Sequence, residues 1–339
     1  MSTNTTVRLA RRPDGEPADD IWQITEEPVP ESGPGRLLIR SQLLSIDPAM
    51  RGWLDDRPSY LPPVRIGDVM RALAIGTVVE SQDARFPVGT LVQGTFGVQD
   101  FAVSDGRDVT IVDLALGTPS MYLGVLGSTG LTAYYGLLEH GRPRAGDTVV
   151  VSAAAGGVGS IVGQLARISG CRVVGIAGGP DKCRYLTDTL GFDAALDYRE
   201  GGLRRRMAEA CPSGIDVYFD NVGGQILDTA LSLLAMHARV VVCGAIAQYN
   251  ATERQSGPSN YMSLLVRRAT MGGFLYFDHA ADFPVARQRL AAWVAEGLIT
   301  APETIAVGTV RDYPSTLRRL FTGDNVGKLV LDINDRSSE

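Results

Sequence analysis

Metal-ligating residues are scarce in this chain. It has 4 cysteines and 3 histidines in 339 residues, with no Cys-x-x-Cys pair and no cysteine spaced to a histidine as zinc sites require. Neither structural zinc nor a disulfide framework is expected on that ground. Cys171, Cys183, Cys211 and Cys243 each stand in or beside an apolar or turn segment and read as small buried hydrophobes. Positive charge is also short: 32 Lys and Arg stand against 38 Asp and Glu, a net charge of −6. Such a surface repels phosphate backbones and anionic lipid, which argues against nucleic acid or a membrane as partner. The one basic cluster, Arg204-Arg205-Arg206, lies in a polar helical stretch and reads as a solvated helix face. No run of about 18 apolar residues occurs, and the first segment, MSTNTTVRLARRPDGEPADD, lacks the apolar core of a signal peptide. A cytoplasmic protein is expected. Repeats of solenoid or propeller period are absent.

What is abundant is glycine, 39 residues clustered in short turns, on a background that is 45% hydrophobic. Glycines gather where backbone must approach something closely. The length suits two domains, at roughly 100–200 residues each. Up to about residue 125 the chain reads as strands of an all-β unit: RLLIRSQLLSID, AIGTVVES, GTLVQGTFGVQDFAVSD and VTIVDL, separated by Gly, Pro and Asp turns. From Val149 strands and helices alternate, VVVSA, then GGVGSIVGQLARISG, RVVGIAGG, DKCRYLTDTLG, DAALDY, GGLRRRMAEAC, IDVYFDNVGG, QILDTALSLLAMHA and RVVVCGAIAQYN. That rhythm predicts a doubly wound parallel sheet with helices on both faces. VARQRLAAWVAEGLIT predicts a further helix, and YPSTLRRLFTGDNVGKLVLDI a helix, a turn and a strand that returns to the first domain.

The segment Val149–Ser160 has the spacing Ala153-x-x-Gly156-x-x-Gly159 between a strand and a helix start. Missing side chains there let backbone N–H groups and the helix N-terminus reach a pyrophosphate, and Gly159 lets the helix pack on its strand. A plain tight turn is the alternative. A dinucleotide site specific for NAD places an acid at the tip of the second strand. Here that tip is Ile176-Ala177-Gly178-Gly179, without a carboxylate, and Lys182 follows in the same turn. Its ammonium suits a 2′-phosphate, so NADP(H) is favoured, although Asp181 could pair with it and Lys182 could simply be exposed.

The segments LLSIDPAMRG, SYLPPVRIGDVM, AAAGGVGS, GIAGGPDKC, DYR, FDNVGG, CGAIAQYN, NYMSLLVRRATMGGF and GDNVGKLV, in this order, resemble the zinc-free medium-chain dehydrogenase/reductases. Within them the likeness is to the prostaglandin, 2-alkenal and curcumin reductase group. The resemblance implies a GroES-like partial β-barrel at 1–127, a Rossmann domain at 128–303 and a return to the barrel at 304–339, with NADPH and substrate in the cleft between. It implies a homodimer. It places Ala154, Ala155, Gly156 and Gly157, with Gly159, at the pyrophosphate, and Lys182 and Tyr198 at the 2′-phosphate. Asn221 would stand at a strand tip beside the cofactor. Cys243, Gly244, Ala245, Ile246 and Tyr249, then Phe274, Leu275 and Tyr276, then Asn325 would line the nicotinamide half. Asn221 and Asn325 occur in Asp-Asn-Val-Gly turns, where an amide either bonds a ligand or holds the turn.

The glycine-histidine-glutamate motif and cysteine-rich lobe of zinc-dependent relatives are absent, which changes the expected chemistry. An isolated carbonyl gathers charge on one oxygen when reduced, where a Lewis acid helps. An enone or enal takes hydride at its β-carbon and delocalises the charge as an enolate, which hydrogen bonds can stabilise. Tyr261 is the first candidate donor, since similar enzymes carry a tyrosine there and a phenol is protonated at neutral pH. A packing role is its alternative. Tyr60 and Tyr249 are further candidates, and Met50, Trp53, Tyr60, Met262 and Phe274 are candidates for an apolar substrate wall, or else core. Ala49 departs from the aromatic residue usual in this group. Competing readings are a quinone or dicarbonyl reductase and a non-catalytic NADPH-binding protein.

Overall fold

Leu37–Ile46 is apolar at six of its ten positions and is buried at seven, as a strand paired on several sides must be. It is β3 of a computed structural model that describes residues 3–253 and 256–334. The other strands are β1 (Thr3–Leu9), β2 (Trp22–Pro28), β4 (Leu73–Ser81), β5 (Leu91–Thr95), β6 (Phe101–Ser104), β7 (Thr110–Ile111), β8 (Thr148–Val151), β9 (Arg172–Ala177), β10 (Ala194–Asp197), β11 (Ile215–Asp220), β12 (Leu234–Val242), β13 (Thr270–Gly273), β14 (Glu303–Val307) and β15 (Lys328–Asp332).

The chain divides into two compact units. The first runs to Leu123 and takes in Glu303–Asn325 and the segment from Leu329 onward. Its main sheet has the order β14-β15-β3-β4-β5-β7, with β6 also on β3, and its β3, β4, β5, β6, β7 and β15 pairings are antiparallel; β1 and β2 form a separate antiparallel pair. The core is closed by late sequence: Tyr313 and Leu317 of the helix Tyr313–Thr322, and Leu329 and Leu331 of β15, are buried with Val7, Ile39 and Met50.

The second unit comprises Gly124–Pro302 and Val326–Lys328. Its six strands are all parallel in the order β10-β9-β8-β11-β12-β13, so that the chain leaves the sheet centre, runs to one edge and returns to build the other half. β8 is buried throughout and β9 at five of six residues, which explains why they read as unbroken apolar runs: helices cover both faces. The helix Gly157–Ile168 buries Ile161, Val162, Leu165 and Ala166, and a Cβ at Gly163 would lie 1.9 Å from the Phe192 ring. These two units, antiparallel β and doubly wound α/β, are the fold class the sequence predicts.

One element differs. The expected helix over QILDTALSLLAMHA stops at Leu231, and β12 begins at Leu234, pairing with Ile215. A periodicity of apolar residues cannot distinguish a buried helix end from the start of a buried strand. His237 adopts φ 61°, and the β11–β12 register shifts between Ile215 and Val217.

In the second unit His279 stacks on Tyr135 (4.3 Å between ring centroids, 5° between planes), while His140 stacks on Phe274 at 5.0 Å and meets His279 edge-on. Burial first, and then His279, hold His140 below the ordinary imidazole range; Arg142 acts in the same direction, Glu139 and Asp278 against it. The unfolded chain therefore takes up this proton more readily than the fold. The stabilisation is complete above about pH 6.5, the unfolded value, and is lost as pH falls below it through the lower folded-state pKa. We expect the melting temperature to drop on acidification from about pH 7 to 5, and His140→Gln to flatten part of that slope. An identical slope in the variant would contradict it.

Candidate functional site

The parallel order reverses between β8 and β11, and ligands of such sheets bind beyond the strand ends at that point. Two turns meet there. After β8 comes Ser152, then Ala153 in the left-handed region at φ 47°, then Ala154 and Ala155, both buried. Gly156 N–H donates to the Ala153 carbonyl at 2.9 Å, which closes the turn, and Ala154 N–H donates to Ile176 on β9. A Cβ on Gly159 would lie 2.4 Å from the Ala153 carbonyl oxygen and 2.9 Å from Ala154 Cα, so only glycine fits. Gly157 has Thr129 2.9 Å from the same construction. From the far end of the chain, Gly327 N–H donates to the Ala155 carbonyl at 2.8 Å. Gly327 is as constrained as Gly159, since a Cβ there would lie 1.9 Å from the Pro302 carbonyl oxygen.

After β11 the turn is Asp220-Asn-Val-Gly223. Asp220 is 1% exposed, and its Oδ1 accepts from Ser152 Oγ (3.0 Å), Tyr218 Oη (3.0 Å), Val222 N–H (3.1 Å) and Gly223 N–H (3.0 Å). Burial pushes this carboxyl above its ordinary range, against the pull of those donors. Asn221 N–H donates to Ser152 Oγ at 2.8 Å, and its side-chain amide donates to the Ser152 carbonyl at 2.7 Å. The amide thus ties the two turns together. Sequence reasoning left ligand and turn as alternatives for Asn221; it missed Ser152 and Asp220, the groups that join the turns. The available signal was a serine directly after β8 facing an aspartate at the end of an apolar strand.

The segment after β12 continues the rim. Cys243 and Gly244 donate their N–H groups to the Asp220 carbonyl, Ile246 donates to Asn221, and Tyr249 Oη accepts from Ala245 N–H at 3.3 Å. Desolvation, with the Asp220 carboxylate adding to it, pushes the Cys243 thiol up to about 12. It is protonated at neutral pH and is no nucleophile.

At the tip of β9 the expected lack of a carboxylate coincides with three other side chains. A Cβ on Gly178 would meet Tyr198 Cε1 at 2.9 Å and Arg199 Nε at 3.1 Å, so both side chains lie against this glycine. Lys182, half-buried, stands on the adjoining helix Pro180–Arg184. Asp197, at the end of the neighbouring β10, accepts from the Gly179 and Arg199 N–H groups, which hold it below the usual carboxylate range. Arg199 was within the Asp-Tyr-Arg segment, and only its contact with Gly178 draws it in.

Phe274 packs its ring on His140 and edge-on against Phe219, and Tyr276 stacks on Phe283 at 5.6 Å, so both rings serve packing within the second unit; Leu275 between them is half-buried. Tyr261 and Met262 are 59% and 49% exposed. The residue before them is tethered: Asn260 N–H donates to Asp228 Oδ1 at 2.7 Å and its amide to the Asp228 carbonyl at 2.9 Å. Asp228 sits on the helix Gly224–Leu231, which starts from the Asn221 turn. In the first unit Met50 is fully buried, with Tyr313 Oη donating to its sulfur, and its side chain is core. Tyr60 is 46% exposed, and Asn325 is buried in that unit.

Residues 5–112 match the family described as N-terminal domain of oxidoreductase, and residues 157–292 that described as zinc-binding dehydrogenase. Among the described residues no group of three or more His, Cys, Asp or Glu is arranged to hold a metal ion, and no helix is long and apolar enough to cross a membrane. The chain is 42% identical over 328 residues to the NADPH-dependent curcumin reductase of Escherichia coli, covering 95% of each chain. It is 37% identical over 306 residues to the NADP(+)-dependent 2-alkenal reductase of Nicotiana tabacum, covering 89% of this chain and 88% of that one. The crystal structure of CurA from Vibrio vulnificus in complex with NADPH matches with a TM-score of 0.93 at 40% identity, over 98% and 99% of the two chains. A parallel sheet with its glycine turn at the switch point, an antiparallel β unit completed by late sequence and relatives matched over nearly their full length lead to one statement: the chain belongs to the medium-chain dehydrogenase/reductase family of oxidoreductases.

Proposed function

We propose that this protein reduces the activated carbon–carbon double bond of α,β-unsaturated aldehydes or ketones, with NADPH as its hydride source. The observation that carries the reading is the joined pair of turns at the switch point, where Gly159 admits only hydrogen and Asn221 is locked to Ser152. The residues fit the cofactor. The turn from Ala154 to Gly157 would lie against the pyrophosphate, with the Ala155 and Gly157 N–H groups as its donors because those of Ala154 and Gly156 are bonded within the fold, and Lys182, Tyr198 and Arg199 would hold the 2′-phosphate where an NAD site carries an acid. NADPH, when bound, supplies the hydride. Cys243 to Tyr249 and the backbone of Phe274 to Tyr276 would line the nicotinamide half, with Asn325.

Tyr261 would donate its phenol hydrogen bond to the carbonyl oxygen of the substrate, stabilising the enolate as charge moves onto it. Asp228, by holding Asn260, positions that phenol. Tyr60 and Met262 would contact substrate. The names of the curcumin and 2-alkenal reductases support this substrate class over quinones. Loss of NADPH absorbance with a panel of 2-alkenals, enones, quinones and saturated ketones tests it, in the presence and absence of chelator. Turnover of alkenals or enones and none of saturated ketones is expected; turnover of quinones alone, or tight NADPH binding with no turnover, overturns it. Tyr261→Phe should lower kcat about 10- to 100-fold and leave NADPH affinity unchanged, and an unaltered kcat would remove the phenol from the mechanism.

We also infer a homodimer. β13 forms an edge of the parallel sheet with all four residues exposed, and Leu265 and Val266 beside it are 69% and 61% exposed. An open strand edge flanked by apolar side chains is a template for pairing. Sedimentation should return twice the chain mass, and a monomer would refute it. A cytoplasmic location accords with the composition.

A further inference from the structure

In the first unit the segment from Leu54 to Pro63 forms a loop whose neck is pinned. Val64 N–H donates to the Trp53 carbonyl at 2.8 Å, and the Arg12 guanidinium donates to the carbonyls of Leu54 (2.8 Å) and Val64 (2.6 Å). Beside this neck lies Arg71, its guanidinium carbon 5.4 Å from the centre of the Trp53 ring, with one N–H donating to the Pro62 carbonyl at 3.0 Å. Stacking on a ring occupies the face of a guanidinium and leaves its N–H edge. Among the described residues no carboxylate lies within ion-pair distance of Arg71, whereas arginines such as Arg8, Arg51 and Arg239 are each paired with one. Burial depresses its pKa, opposed only by the neighbouring Tyr60. Trp53 Nε1 is buried without a hydrogen-bond partner. A recess of about 360 Å³ opens in the same loop, bordered by Arg57, Ser59, Leu61 and Pro62, with Asp56 also on its rim.

A half-buried guanidinium with its face on a ring has lost part of its hydration, and an anion at its N–H edge would compensate for that loss. We propose that Arg71, with Trp53 and Tyr60 beside it, receives a carboxylate borne by the substrate away from its double bond, so that the enzyme prefers unsaturated carbonyl acids to neutral ones. A single planar fork suits a carboxylate, whose two oxygens it can meet together. The proposal rests on the reductase reading for its reaction, but the anion site itself does not.

Two measurements separate the two. The first compares an enone carrying a terminal carboxylate with its methyl ester. The acid should be favoured about 10- to 100-fold in kcat/KM, through KM, and Arg71→Gln should bring the ratio to about one, with Arg71→Lys restoring part of it. The second titrates the intact protein with the saturated acid and follows tryptophan fluorescence, using Trp53→Phe to assign the response. A saturable response that is lost in Arg71→Gln is expected, and it requires no turnover. If no enone is reduced while that response is present, the reductase reading fails and the anion site stands. Equal kcat/KM for acid and ester, or fluorescence that the acid does not change, overturns the proposal.

Discussion

Gly159→Ala is expected to raise the Kd for NADPH at least about tenfold and to lower stability by about 1–3 kcal/mol. The added methyl would sit 2.4 Å from the Ala153 carbonyl oxygen and 2.9 Å from Ala154 Cα. Both are backbone atoms, so no side chain can rotate away, and the turn itself must move. Ala153 is already in the left-handed region, which costs a non-glycine residue roughly 1 kcal/mol, so the turn has little freedom left. Moving it shifts the N–H groups at the helix start. Gly52→Ala is the control, since a Cβ there meets nothing within 4 Å. Fluorescence titration with NADPH and thermal melting of both variants check this, and wild-type affinity in Gly159→Ala would defeat the close-approach argument.

The second large effect is expected at Asp220. Asp220→Ala removes the acceptor shared by the Ser152 and Tyr218 hydroxyls and the Val222 and Gly223 N–H groups, all at a carboxylate 1% exposed. Each unpaired buried donor costs about 1–3 kcal/mol, partly recovered by relaxation, so a loss of about 3–5 kcal/mol is expected. Asp220→Asn keeps an oxygen where Oδ1 stands and removes the buried charge, and should cost far less. Denaturant unfolding of the pair separates them. Equal losses would mean that the geometry of the acceptor is unimportant and that charge alone is needed.

The fold was legible because its signals are local. Strand, glycine turn and helix follow one another within Val149–Gly170, and both 2.4 Å and 2.9 Å contacts of Gly159 fall on residues only five or six positions away. The overrun of the helix at Leu231 shows where local signal stops: Ser232 to His237 are as apolar as a helix end, and pairing of Leu234 with Ile215, 19 positions upstream, decides otherwise. The candidate site divides in the same way. The type of residue at Asn221, Lys182 and Tyr198 could be read directly, but whether an amide bonds a ligand or a neighbouring turn depends on Ser152, 69 positions away.

By itself the sequence determined the class of each unit, the glycine turn and the absence of an acid at the tip of the second strand, because these depend on residue type and spacing within a single element. Only the tertiary structure decided that Met50 is core beneath Tyr313, 263 positions later, that the Phe274 ring belongs to His140, and that Arg71 lies on Trp53 with no carboxylate of the described residues in ion-pair reach. Burial and charge compensation are set by what distant segments bring into contact, and no local pattern carries that information.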